Sequence, residues 1–233
     1  MTLFPKLMSA LLALVLAVSS AFAVAPDFIE KLADESRPMD DRIRDGARHP
    51  VQTMELLNVE AGMTVVDIGA GGGWWTRVFA AAVGPNGQVI SQRGRSGDAP
   101  ADIAAMSNVD IVGQLSDIDA NSVDVALTAL NIHHSNAERA AVYFQEIYAM
   151  MKPGGLVAVI DHIGEEAIDN SELHRIPPSV VRGWLEDSDF EILEESNLMR
   201  NYADDHTRPS GGFEPVLGRN SDRFLFVLRK PAM

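Results

Sequence analysis

Val65-Val66-Asp67-Ile68-Gly69-Ala70-Gly71-Gly72-Gly73-Trp74-Trp75-Thr76 is the stretch on which the reading of this chain turns. A β-branched apolar run closes on an acid, a glycine-dense turn follows, and an amphipathic segment opens behind it. That order predicts a buried strand, a tight loop and a helix start. Open α/β sheets use this unit to hold nucleotide-like ligands at the carboxyl ends of their strands. Glycine suits the loop because the turn visits positive φ and because a Cβ would hold a ligand away from the backbone. The spacing also excludes. Gly69, Gly71 and Gly73 read G-x-G-x-G, without the third glycine placement of the dinucleotide fingerprint, and no Lys-Ser or Lys-Thr follows to make a phosphate loop. A nicotinamide-dependent oxidoreductase is disfavoured on that ground.

Around this unit, strands and helices alternate. Expected strands are Thr64 to Ile68, Val89 to Ser91, Val109 to Val112, Val123 to Leu130 and Leu156 to Asp161. Expected helices include Pro50 to Leu57, Trp74 to Val83, a weak one near Ala101 to Met106, and one from about Asn136 to Met151. Pro26 to Arg48 reads as one or two further helices ahead of the sheet. Short apolar strands separated by helices imply parallel pairing with helices on both faces. The tail changes character. After a helix over Pro177 to Asp187, Phe190 to Asn197 and Arg223 to Arg229 read as strands with no helix between them, an antiparallel hairpin closing one sheet edge.

The start of the chain has a different signature. Lys6 precedes a nearly unbroken apolar run, Leu7 to Val18, and Ala21-Phe22-Ala23 offers an A-x-A cleavage pattern. A run of that length is short for a bilayer span, so residues 1–23 are expected to be a cleaved signal peptide and the mature protein periplasmic or secreted. An uncleaved membrane tether is the alternative. Residues 24–233 then suit one α/β domain. The net charge of −14 becomes −15 without Lys6, the only charged residue of that segment. Such a surface repels phosphate backbones, so a nucleic-acid partner is not expected. With no cysteine, disulfides, thiolate metal sites and cysteine nucleophiles are excluded together.

An acid two residues before G-x-G-x-G resembles the first motif of class I S-adenosylmethionine-dependent methyltransferases. Asn121-Ser122-Val123-Asp124-Val125-Ala126 resembles that family's entry to its fourth strand, and Met151-Lys152-Pro153-Gly154-Gly155 the turn before its fifth. More narrowly, Arg48-His49-Pro50, Leu130-Asn131-Ile132-His133-His134, Val159-Ile160-Asp161-His162, His174-Arg175-Ile176 and the stretch from Arg200 to Thr207 resemble a bacterial, often signal-bearing group of small methyltransferases. The resemblance implies a Rossmann-like α/β fold, with a mostly parallel seven-stranded sheet and a C-terminal antiparallel hairpin. It implies S-adenosyl-L-methionine as cofactor and a small-molecule substrate.

By that resemblance, Asp67 lies near the donor's amino group, and Gly69, Ala70, Gly71 and Gly73 pack against its amino-acid moiety, where a helix start favours a carboxylate. The family commonly has an acid for the ribose hydroxyls at the end of the second strand. Here Gln92 stands there, a weaker acceptor than a carboxylate. Gln114 occupies the place of an adenine-contacting acid, with Asp117 close enough to substitute. Asn131 is expected to orient substrate beside the cofactor.

Six histidines stand at 49, 133, 134, 162, 174 and 206. His133 and His134 follow the fourth strand and His162 the fifth, at the end where ligand crevices lie. An acceptor hydroxyl or amine must lose a proton, and histidine is the usual base near neutral pH. His134 or His133 is the expected base, with Asp161 supporting His162. The blander reading is that these histidines cap loops. His133, His134, His162, His174 and Asp161 are of the right types for zinc or manganese and could converge, but no metal site is expected: adjacent histidines on an extended strand point to opposite faces, and no H-x-x-x-H pair occurs. One of Trp74 and Trp75 should pack between helix and sheet and the other line the crevice. The Asn201 to Thr207 loop reads either as a lid or as a self-bonded turn. Two functions compete, a small-molecule methyltransferase and a non-catalytic ligand-binding module on the same fold.

Overall fold

The computed structural model describes residues 23–210 and 217–232. The proposed signal segment therefore lies, apart from Ala23, outside the described residues.

Seven strands form one sheet: β1 Thr64–Ile68, β2 Gln88–Gln92, β3 Val109–Val112, β4 Val123–Ala129, β5 Met151–His162, β6 Glu191–Ser196 and β7 Arg223–Arg229. Their order is β3-β2-β1-β4-β5-β7-β6. The first five pair in parallel, whereas β7 runs antiparallel to both β5 and β6. The expected mostly parallel, seven-stranded sheet with its terminal hairpin is thus present, β7 lying inside and β6 at the edge.

Strand geometry sorts the apolar residues into two cores. Successive side chains alternate faces, so Val66 and Ile68 of β1 enter one cluster and Val65 the other. In β7, Phe224, Phe226 and Leu228 face the first, and Leu225 and Val227 the second. After the short α6 (Ala101–Ala104), helices α7 (Ala137–Met150) and α8 (Pro178–Glu186) cover the first face. In α7 the buried residues Ala140, Phe144 and Ile147 recur at four- and three-residue spacing, the stripe of a half-buried helix. Asn136 starts it, its Oδ1 accepting from the Arg139 amide at 3.0 Å.

Helix α5 (Trp74–Val83) covers the second face, and all ten of its residues are buried. The reason lies upstream. Three short helices, α1 Phe28–Ala33, α2 Met39–Arg42 and α3 Asp45–Arg48, stand where one or two were expected before Pro50, and α4 Pro50–Leu56 is the helix expected from Pro50. Phe28 of α1 packs into the same core, and the Ala25 amide donates to the Ala82 carbonyl at 2.6 Å. Both Trp74 and Trp75 are buried there, rings edge to face with centroids 4.5 Å apart, so neither is the crevice wall expected of one of them. Trp74 satisfies its indole N–H on the Asp41 carbonyl.

The fifth strand starts earlier than its apolar run. Met151 pairs with Val123, the chain bulges through Lys152 to Gly155, and pairing resumes with Leu156 opposite Val125. Gly154, at φ 84°, takes the bend.

Candidate functional site

At the carboxyl end of β1 the chain turns through Gly69, Gly71 and Gly73 with φ of 64°, 52° and 78°, the left-handed region where a side chain is strained. What surrounds each glycine differs. A Cβ on Gly69 would lie 2.6 Å from Nδ2 of Asn131, and one on Gly73 would overlap Ile103. At Gly71 a Cβ would meet only the Gly69 carbonyl, at 3.9 Å, and at Gly72 nothing within 4 Å. The middle of the loop is an open cradle, and its two ends are packed.

Gln92 holds this loop in place. Its Oε1 accepts from the Gly69 amide at 2.9 Å, its Nε2 donates to the Gly113 carbonyl at 2.9 Å, and its own carbonyl accepts from Ala70. One buried side chain thus joins the turns that follow β1, β2 and β3. Beyond β3, Gln114 and Asp117 are exposed, and the Gln114 amide donates to Asp117 Oδ2 at 2.9 Å in a capping box that opens a 3-10 turn. Asn131, after β4, donates to the Ile68 carbonyl at 3.1 Å and packs on Gly69. The sequence-derived residues Gly69, Ala70, Gly71, Gly73, Gln92, Gln114, Asp117 and Asn131 therefore all stand at one end of the parallel sheet.

Asp67 lies beneath the loop, buried. Thr76 Oγ1, in the first turn of α5, donates to its Oδ2 at 2.6 Å and is in turn 3.1 Å from the Ser91 hydroxyl. Burial pushes the Asp67 carboxyl up to about 6, opposed by the Thr76 bonds and by the positive charges of Arg48 and Arg93. The Arg48 guanidinium stacks 4.8 Å from the Trp74 ring centre. Burial lowers its pKa to about 9, and repulsion from Arg223 and Arg44 adds to the effect. Arg48 was cited in the sequence only as part of a motif. Its place beside Asp67 depends on folding α3 over the sheet, which no local pattern encodes.

The histidines are arranged differently from expectation. Ile132–His134 is a 3-10 turn, so the extended-strand argument that sends neighbouring side chains to opposite faces does not apply. The rings of His133 and His134 lie 4.0 Å apart, and His174, fixed at φ 52° on a distant loop, brings its ring within 5.6 and 5.4 Å of them. Ligand nitrogens of these three lie within 4.8 Å of one another. The reason given for expecting no shared ion, side chains on opposite faces of an extended strand, therefore does not hold for this turn.

Asp161 supports His133 rather than the His162 ring. Its Oδ1 pairs with His133 Nδ1 at 2.8 Å and accepts from the His162 amide at 2.7 Å, while Oδ2 accepts from the His133 amide at 3.0 Å. Asp161 is 0% exposed. A carboxylate accepts only, so Nδ1 carries the proton and Nε2 is the nitrogen that His133 offers. The His162 ring instead bonds the Ser221 hydroxyl at 2.6 Å. Burial, then repulsion from Arg223 and His133, holds the His162 pKa well below the usual imidazole range. His134 is exposed; partial burial and its two histidine neighbours lower its pKa, against the pull of Asp161.

The segment from Arg200 to Thr207 folds upon itself and the strand end nearby. Arg175 Nη2 donates to both carboxylate oxygens of Asp204, both side chains fully buried, and the Asp222 carboxylate receives Arg200 and His206. It is a loop braced by Arg175 and by Asp222.

Known proteins can now be set beside this geometry. The model of the protein-L-isoaspartate(D-aspartate) O-methyltransferase family matches residues 42–96, which hold α3, β1, the glycine loop, α5 and β2. No curated protein sequence matches the chain. Among solved structures, an S-adenosylmethionine-dependent methyltransferase from Aquifex aeolicus superposes with a TM-score of 0.58 at 19% identity, covering 88% of this chain and 97% of that one. The chain has a methyltransferase fold. The cyclase SpnF has the same fold, with a TM-score of 0.60, 15% identity and 88% and 92% coverage. So does a candidate exported protein from Bordetella parapertussis, with a TM-score of 0.53, 16% identity and 82% and 68% coverage.

Proposed function

We propose that this protein is an S-adenosylmethionine-dependent methyltransferase acting on a small molecule. The observation that carries the reading is the open cradle at Gly71 and Gly72, set between packed glycines directly above a buried carboxylate. A turn serving only to join β1 to α5 has no need of that opening. The site fits the cofactor's amino-acid end: backbone amides at the start of α5 suit its carboxylate, and Asp67 is the nearest acid for its ammonium group. Gln114 and Asp117, exposed beyond β3, are the polar groups for its adenosine end. The partial family match and the fold of the Aquifex protein support the same cofactor.

When bound, S-adenosylmethionine supplies a sulfonium-borne methyl group for in-line displacement. The chain's own residues then do two things. The glycine loop and Asn131 fix the donor side, and His133, its Nδ1 held by Asp161, takes the acceptor's proton at Nε2. His134 lines the same side. The acidic surface favours neutral or cationic acceptors over nucleic acid. The N-terminal signature supports export with cleavage after Ala23, and no helix among the described residues is long and apolar enough to cross a membrane. Mass spectrometry of the protein recovered from the producing cell's periplasm checks that cleavage.

Calorimetry with S-adenosylhomocysteine tests the cofactor reading. Binding by the folded wild type that is lost in Gly71→Val supports it, and no binding at millimolar ligand overturns it. A second reading, a non-catalytic binding module, is favoured by Gln92, whose amide is engaged at both ends by Gly69 and Gly113. SpnF, a cyclase, illustrates that this fold alone does not fix methyl transfer.

A further inference from the structure

We propose that His133, His134 and His174 bind a nitrogen-preferring divalent transition-metal ion of the zinc type. The site stands whether or not the protein transfers a methyl group. Three imidazoles offer one ligand nitrogen each, all within 4.8 Å of one another. In a tetrahedral zinc site, nitrogens sit roughly 3.4 Å apart, a closure that small ring rotations supply.

Two features distinguish this group from a chance cluster. The first is Asp161. A metal-bound histidine commonly gives its remaining ring N–H to a carboxylate, which fixes the tautomer and makes the ligand nitrogen more basic. His133 has that partner already, at 2.8 Å, on a carboxylate with no solvent exposure. The second is the backbone. His174 sits in the left-handed region at φ 52°, and Leu130, two residues before the 3-10 turn, at φ 61°. The Leu130 conformation is costly for its residue type, and the His174 bend brings an imidazole from a distant loop to the turn that follows Leu130.

The ligand set selects the ion. It contains three neutral imidazoles and no carboxylate or carbonyl oxygen, so magnesium and calcium are poor occupants, and zinc, cobalt or nickel suit it. Three protein ligands leave a fourth position for water or a bound molecule, the arrangement of a catalytic rather than a structural zinc site. His162, its Nδ1 on Ser221, stands outside the set. An ion here takes the Nε2 lone pair of His133, so metal-loaded and metal-free protein differ at the proposed proton acceptor.

The test uses the metal alone, on chain purified without a histidine tag and stripped with a chelator. Cobalt(II) titration should give the visible bands of four-coordinate cobalt at one ion per chain, and zinc should displace it. His134→Gln, an exposed and conservative change, and His174→Ala should abolish the bands. Asp161→Asn should weaken binding about 10- to 100-fold. His206→Ala, a histidine outside the cluster, should bind as the wild type does. Circular dichroism establishes that each variant is folded. Absence of cobalt binding by folded wild type, or equal binding by His134→Gln and wild type, overturns the proposal. Because no methyl donor is present, neither result bears on the methyltransferase reading.

Discussion

The Gly69 amide and the Gln92 side chain meet at 2.9 Å, and the other end of the same amide reaches Gly113. A position whose sequence reading was ribose recognition is therefore also the brace between three strand-end turns. Replacing Gln92 by Ala leaves the half-buried Gly69 N–H without its partner, while the Gly113 carbonyl keeps the Gly94 amide at 3.2 Å; a donor left unsatisfied costs about 1–3 kcal/mol when buried. Gln92→Ala should lose about 1–2 kcal/mol in urea unfolding and bind S-adenosylhomocysteine more weakly. A loss below ~0.5 kcal/mol would show that water replaces the brace.

Gly69 and Gly71 share a left-handed backbone but not surroundings. Gly69→Ala combines roughly 1 kcal/mol of backbone strain with a 2.6 Å approach to Asn131, whereas Gly71→Ala meets open space. In thermal melts Gly69→Ala should be the less stable of the two. Calorimetry at a temperature where both variants are folded should show the larger proportional loss of ligand affinity in Gly71→Ala. Equal stability of the two variants would contradict the packing described for the loop.

The Asp67 carboxyl, at about 6 in the fold, lies above its unfolded value of 3.8. Between these values the native state binds more protons than the unfolded chain, so this group's contribution falls as pH rises from about 4 to about 6. The change amounts to about 3 kcal/mol. Asp67→Asn removes the titration and nearly preserves the shape. The stability difference, wild type minus variant, should therefore decline with pH across that window and be flat above pH 7.

His206 shows the opposite sign. Its partial burial lowers its pKa, but bonds to Glu165 and Asp222 outweigh this and raise it. Its support of the 200–207 loop is then complete below pH 6.5 and is lost as pH climbs through the raised value. Hydrogen exchange in that loop should quicken on going from pH 6 to pH 9, after correction for intrinsic rates. In His206→Ala the loop should already be fast at pH 6. An unchanged loop in both would mean that Arg175–Asp204 alone secures it.

The parts of this molecule legible in the sequence were those set by neighbours a few residues away. Thr64–Ile68, Val109–Val112 and Arg223–Arg229 coincide with their apolar runs, and Trp74–Val83 with its helical one. The turn at Gly69 to Gly73 announced itself because only glycine takes those angles cheaply. What escaped was set by distance. The short helices before Pro50 are polar and draw their order from packing on α5, and the Asp161 partner, His133, lies 28 residues away. His174 is among the residues that could converge, but its loop carries no periodic signal to show that it does. The adjacency of His133 and His134 was visible, but its meaning depended on whether the backbone was extended or turned.

The sheet ends on both sides in strands that face water. β3 carries Asp110 outward, and β6 carries Glu191, Glu194 and Glu195, with a break in register between Ile192 and Glu194 that leaves Leu193 half-exposed. Some of that charge is tied down by Arg229 on Glu191 and Arg182 on Glu195. A second molecule approaching edge to edge would set carboxylate against carboxylate along a strand whose ladder is already interrupted. Hydrogen-bonding capacity remains at both borders, yet like charge and lost register deter an eighth strand. Carboxylates along the border thus oppose edge-to-edge pairing of two copies.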